Sequence, residues 1–405
     1  MLNMRRENRK IMIALIFIMM AWAIKLFPFK FGGWNQMMLG FSYRYGFIQR
    51  GFIGSVLDLI SMIFHIPLRY MRYIYGVSTM GAFTLLLLLC VYRSIAAERI
   101  DPIIRKFLIY MAILFFVGPG WVTNYNNFAL TDVWLLMISV PGMYVVMKEK
   151  NLWVAVLAPV VAVLIHPEYV FLYFSLILGP FFYKTWVEKQ FRKRFLNWMC
   201  MSFLCGSAIV CYMMFFAQAK AGVTLEDVMD RVAIVVNRSV ADISHFESVV
   251  NGVLFRKGDV TNGLKVDTNG YQVLFVVMLV MYSPFIFEIY KYWKTATENA
   301  GGVLYALLPL LGVITAVPIY VLKNDYGRWT YAVFFYEFAL IWILNLFEDK
   351  NIKTATKKFM EGLSIHKVYY IFLTFYAIIS SPIEQNLLNP IIANVEQMCW
   401  KVFIR

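Results

Sequence analysis

Residues 196–217 read LNWMCMSFLCGSAIVCYMMFFA, without one charged side chain. A bilayer core takes about 20 such residues as a helix. Lipid offers no partner to a bare backbone, so the segment must satisfy its own N–H and C=O groups, and a helix does so. Working outward, Ile11–Phe27, Met80–Tyr92, Phe107–Val117, Tyr271–Ile289 and Trp329–Phe347 are also apolar, with few or no charges. Hydrophobic residues make up 61% of the 405 residues and charged residues 15%. That is too little charge to cover a water-soluble surface. The sequence predicts an all-α, polytopic transmembrane helical bundle with about eleven spans. They are 11–27, 72–92, 105–121, 128–147, 152–166, 168–183, 196–217, 271–291, 302–322, 329–347 and 367–382.

The apolar segment 51–66 is short. Ser55, Asp58, Ser61 and His65 recur every three or four residues along it. That stripe fits a helix lying in the interface better than one crossing lipid. The net charge of +14 comes from Lys and Arg set between apolar runs, as topology determinants are, and gives no reason to expect nucleic acid.

If 51–66 does not span and the N-terminus is cytoplasmic, more than half of the 38 Lys and Arg fall inside. They lie in Arg5–Lys10, Arg93–Lys106, Lys148–Lys150, Lys184–Arg194, Lys291–Lys294 and Lys350–Lys367. If 51–66 spanned, every later loop would flip and the bias would reverse. The rival that preserves it makes 152–183 one kinked helix, although His166-Pro167-Glu168 interrupts that segment.

The expected organisation is one integral membrane domain, 1–405, in the inner (cytoplasmic) membrane. It carries a first external loop with an interfacial helix (28–71), an external loop subdomain (218–270) and an external tail (383–405). The basic N-terminal stretch and its apolar run end in Lys25-Leu-Phe-Pro without a small-residue cleavage site, which predicts an uncleaved first helix. Of the five cysteines, Cys90, Cys200, Cys205 and Cys211 lie in apolar runs, and no spacing suggests a disulfide framework or a zinc site.

This topology brings four polar groups to the outer face. The first loop contributes Tyr43, Arg44, Arg50 and Asp58; the next outer turn Asn124 and Asn127, with Asp132 following. The helix break contributes His166 and Glu168, and a later turn Lys323, Asp325, Arg328 and Trp329. Each has a plain structural alternative: Asp132 as a helix start, Asp325 with Arg328 as a local pair, Arg44 and Arg50 as headgroup anchors. Ionisable groups at membrane depth pair, line a cavity or do chemistry. Arginines and a lysine suit a phosphate or diphosphate. A carboxylate or histidine can take a proton from a hydroxyl nucleophile. Asparagines, tyrosines and tryptophans suit sugar hydroxyls and sugar faces.

The layout resembles the GT-C class of membrane glycosyltransferases, which have a cytoplasmic N-terminus, one span, a long external loop with interfacial helices, and many further spans. Tyr45–Gly54 and Asn324–Trp329 also look like segments of bacterial membrane proteins of capsule or exopolysaccharide synthesis. Size and hydrophobicity are similar to those of Wzy-type O-antigen and capsule polymerases, without an Arg-x10-Gly pattern. The resemblance implies glycosyl transfer from a polyprenyl-phosphate-linked donor at the external face. Asp132, Glu168, Asp325 or Asp58 would serve as the base, with His166 assisting. Arg44, Arg50, Arg328 and Lys323 would hold phosphate, and Tyr43, Asn124, Asn127 and Trp329 would contact substrate. A first-loop carboxylate is the base or metal ligand in that class, and Asp58 is the only acid in this loop. A divalent metal, Mg or Mn, is therefore an option with no ligand set assigned. Expected partners are the bilayer, the lipid-linked donor, the glycan acceptor and polysaccharide assembly proteins. A transporter or flippase of lipid-linked glycans is the alternative.

Overall fold

A computed structural model describes residues 9, 12–18, 20, 33–96, 100–117, 131–188, 193–255, 271–322 and 326–379. Among these residues the chain forms helices and connecting turns, with no strand. In chain order they are α1 (Gly33–Met38), a 3-10 turn (Tyr43–Tyr45), α2 (Gly51–Phe64), α3 (Leu68–Ala96), α4 (Pro102–Val117) and α5 (Asp132–Lys148). Next come α6 (Trp153–Ile165), α7 (Tyr169–Leu172), α8 (Ser175–Phe182), a π turn (Tyr183–Val187) and α9 (Lys193–Phe215). Then follow α10 (Leu225–Val236), a 3-10 turn (Ala241–Phe246), α11 (Glu247–Phe255), α12 (Tyr271–Ala300) and α13 (Leu304–Leu322). The last three are α14 (Tyr326–Leu346), α15 (Lys350–Ile365) and α16 (Lys367–Ile379).

Tyr169–Val187 and Arg328–Leu346 are each long and apolar enough to cross a membrane. Trp153–Ile165, Met199–Met213 and Leu304–Tyr320 are shorter apolar helices. Most of the expected first span and all of the expected tail lie outside the described residues. Prolines sit inside α5, α6, α8, α12 and α13, where neighbouring helices can re-satisfy the freed backbone groups.

The segment 51–66 forms α2, and α2 meets α3 at a bend of 113°. Leu59, Met62, Ile63 and Phe64 on α2 are 50–66% exposed. A sharply turned helix with bare apolar residues is suited to a lipid–water boundary.

His166-Pro167-Glu168 breaks the chain as the sequence indicates. His166 has extended backbone and ends α6. The chain then reverses: an added Cβ at Gly142 in α5 would touch Ile177 of α8 and meet Ala158 of α6 at 3.8 Å. At 1.5 Å per residue, all three positions lie roughly 12–15 Å from the Asp132, His166 and Glu168 ends of their helices. α5, α6 and α8 thus pack side by side, and the break joins two antiparallel helices.

At the opposite end of these helices, Asp349 accepts hydrogen bonds from Tyr183 (2.7 Å) and Tyr305 (2.6 Å) and caps α15 through Ile352 N–H. Lys184 reaches Glu149 and Glu188 there.

The first loop and residues 218–254 share a separate apolar core of Met37, Phe41, Ile48, Val228, Val232 and Phe246, among others. Thr224 and Asp227 form a reciprocal capping box that starts α10. Lys220 N–H donates to Tyr45 O (2.8 Å), and Arg72 of α3 bonds Val236 O and Gln36.

Candidate functional site

Four separate parts of the chain meet at the Asp132 and His166 end of the bundle. Arg328 stands in the first turn of α14 and Asp132 in the first turn of α5. Glu168 follows the helix break, and Arg50 caps α2. Arg328 Nε lies 2.6 Å from Asp132 Oδ2, and its Nη2 lies 2.6 Å from Glu168 Oε2. One planar guanidinium thus binds two carboxylates, a geometry that a lysine ammonium cannot reproduce. The Asp132 side chain is 1% exposed and that of Glu168 8%. Carboxylates this deep are held by paired charge.

Arg50 approaches Glu168 from the other side, with Nη2 3.9 Å from Oε1. Its Nη1 reaches Met38 Sδ at 3.3 Å, and its buried Nε–H has no acceptor among the described residues. Burial holds this guanidinium below its ordinary value, opposed by the Glu168 charge. Its backbone has φ 62°, in the left-handed region where a non-glycine residue is strained. His166 is 4% exposed, and its Nδ1 accepts the Glu168 backbone N–H at 3.3 Å. Its Nδ1 also lies 3.9 Å from Glu168 Oε2.

Two arginines, two carboxylates and a histidine form one cluster. Close approaches in the first loop hold it in place. A Cβ at Gly54 would lie 1.7 Å from Phe41 O, so only glycine lets the loop backbone cross α2 there. Tyr43 stacks on Phe47, and its hydroxyl points to Leu164 O at 3.5 Å, beside the break. Burial raises the Tyr43 hydroxyl to about 12.

The remaining expected residues go elsewhere. Asp58 accepts from Ser42 Oγ (2.5 Å) and pairs with Arg231 Nη1 (2.7 Å), so it ties α2 to α10. Arg44 is exposed, with its guanidinium over the Tyr45 ring. Trp329 is fully buried and packs edge-on against Tyr320, so its faces are covered by protein instead of being offered to a sugar. Asn124, Asn127, Lys323 and Asp325 lie outside the described residues. Among the described residues no group of three or more His, Cys, Asp or Glu is placed to hold a metal ion. Both described cluster carboxylates bind Arg328 through one oxygen, Oδ2 of Asp132 and Oε2 of Glu168.

Sequence reasoning passed over Arg231. It is 3% exposed, pairs with Asp58 and donates from Nε to Gly40 O at 2.9 Å. Its signal was present: in LEDVMDRVAIVV it occupies the stripe of Val228, Val232 and Val235, where an arginine is out of place unless paired. Glu337, buried in α14, also went unremarked; it accepts from Trp293 Nε1 at 2.8 Å.

No family model, no curated protein and no solved structure matches this chain.

Proposed function

We propose that the chain is a GT-C-like membrane glycosyltransferase or polysaccharide polymerase of the cytoplasmic membrane. It crosses about eleven times, keeps its N-terminus in the cytoplasm, and uses a polyprenyl-phosphate-linked sugar at the external face to build a surface polysaccharide. The observation that carries this reading is the cluster of Arg50, Asp132, His166, Glu168 and Arg328, drawn from four segments to one end of a helical bundle.

In this reading Arg50 and Arg328 receive the donor phosphate. The acceptor hydroxyl oxygen bonds to the anomeric carbon as the bond from that carbon to the phosphate oxygen breaks. The electron pair leaves with the lipid phosphate, and the hydroxyl proton passes to Glu168. Asp132 keeps Arg328 in place, and His166 orients Glu168. A groove of about 820 Å³ between α12, α13 and α14 supports a lipid-linked substrate. It is lined from Tyr320 and Thr330 past Leu310 and Val313 to Thr297. Its lining is mainly apolar, as a prenyl tail requires, with Lys294, Glu298 and Glu337 among the lining residues.

The test compares lipid-linked and surface glycans, by mass and chain length, in cells with and without the protein. Short lipid-linked glycans facing outward, with shortened surface chains, are the expected result. Complete lipid-linked units trapped on the cytoplasmic side would replace transfer with flipping.

A further inference from the structure

Beside Asp132 the protein buries polar atoms that its own side chains do not use. Tyr75 is 3% exposed and Thr79 is 1% exposed. They stand four residues apart on α3, hence on one face. Trp134 follows Asp132 in the first turn of α5, and α3 packs on α5. The Tyr75 and Trp134 rings stack with centroids 6.1 Å apart at 27°. The Trp134 indole N–H is directed at the Tyr75 hydroxyl, which lies within electrostatic range of Asp132. Yet Tyr75 Oη, Thr79 Oγ1 and Trp134 Nε1 are all buried and make no hydrogen bond of ordinary length among the described residues, although the Trp134 indole N–H faces the Tyr75 hydroxyl. Buried polar groups are nearly always bonded, so three that are not, on adjoining faces, need an explanation. Leaving them unbonded costs stability.

We infer that Tyr75, Thr79 and Trp134 form a subsite that binds the hydroxyl groups of a sugar next to Asp132. The donor and acceptor types match: an indole N–H that only donates, and two hydroxyls that donate and accept. The stacked aromatic pair supplies an apolar wall. The subsite lies about one to two helical turns along α3 from Arg72, which bonds Gln36 and Val236 O. The inference rests on the glycosyl-transfer reading for the identity of the ligand as a sugar.

The test uses the full-length protein in lipid nanodiscs, with methyl glycosides of hexoses and N-acetylhexosamines as probes and glycerol as control, read by saturation-transfer NMR. Tyr75→Phe, Thr79→Val and Trp134→Phe each remove one polar group and keep most of the shape. Each should weaken glycoside binding about three- to tenfold. Each should leave the thermal midpoint unchanged or raise it, because the group removed makes no hydrogen bond of ordinary length in the free protein. Glycoside binding equal to wild type in all three variants overturns the subsite, as does a wild-type protein that binds none of the probes. A lowered midpoint with unchanged binding also overturns it and assigns the groups to internal water. If surface glycans depend on the protein while the three variants support them fully, the subsite fails and the glycosyl-transfer reading stands. If glycans do not depend on the protein while the variants lose glycoside binding, the reverse holds.

Discussion

Arg328 and Glu168, 160 positions apart in the chain, are joined at 2.6 Å where the start of α14 meets the break between α6 and α7. The same guanidinium holds Asp132. Replacing Arg328 by Gln leaves two buried carboxylates without their main cation. Removal of one partner from a buried pair costs about 3–5 kcal/mol. Arg328→Gln should therefore lower the thermal midpoint strongly and abolish the glycan phenotype, and Arg328→Lys, which cannot bridge both acids, should rescue only part of the stability. A midpoint within a degree or so of wild type for Arg328→Gln would contradict the cluster.

Asp58 separates two roles. Paired with Arg231 and Ser42, it is a clamp between α2 and α10. Asp58→Asn should speed hydrogen exchange in residues 33–48 and 225–236 and reduce glycan assembly only partially. Loss of all activity with unchanged exchange would instead make Asp58 the base.

Gly54→Ala should be among the most damaging small substitutions. The added methyl meets the Phe41 carbonyl, which is backbone and cannot swing aside. Overpacking of this kind costs about 1–3 kcal/mol or more. The variant should be poorly recovered in detergent, whereas Gly301→Ala, with open space around its Cβ but φ 63°, should show only a modest backbone penalty.

The α10 capping box carries a pH signature. Hydrogen bonds from Thr224 hold the Asp227 carboxyl below its ordinary value. A depressed carboxyl contributes stability above its unfolded value, about 3.9, and loses it as pH falls through the folded value. Asp227→Asn should therefore lower the midpoint slightly at pH 7 and match wild type near pH 2–3. Equal midpoints at pH 7 would remove the cap from consideration.

The depth of α2 can be read optically. Phe64→Trp and Leu57→Trp, placed on a background with native tryptophan emission subtracted, should both be quenched best by lipids labelled near the headgroup. Strongest quenching of position 57 by labels at the bilayer centre would mean that 51–66 crosses.

The long apolar runs alone require helices, because lipid leaves the backbone no other partner. Proline between His166 and Glu168 was enough to mark the break, and the outward turns told which acids and arginines stand at helix ends. The pairing of those groups was not legible. From sequence, Arg328 had a local candidate in Asp325, outside the described residues, but its bonds go to Asp132 and Glu168. Asp58 read as part of a polar stripe or as a base, but its charge is taken up by Arg231 of α10, and the burial of Trp329 depends on Tyr320 of the neighbouring helix. Helix formation is decided by interactions within a few residues and by the solvent around them. The choice of partner for a buried charge is decided by which backbones cross within about 3 Å, and that distance exists only once the helices have packed.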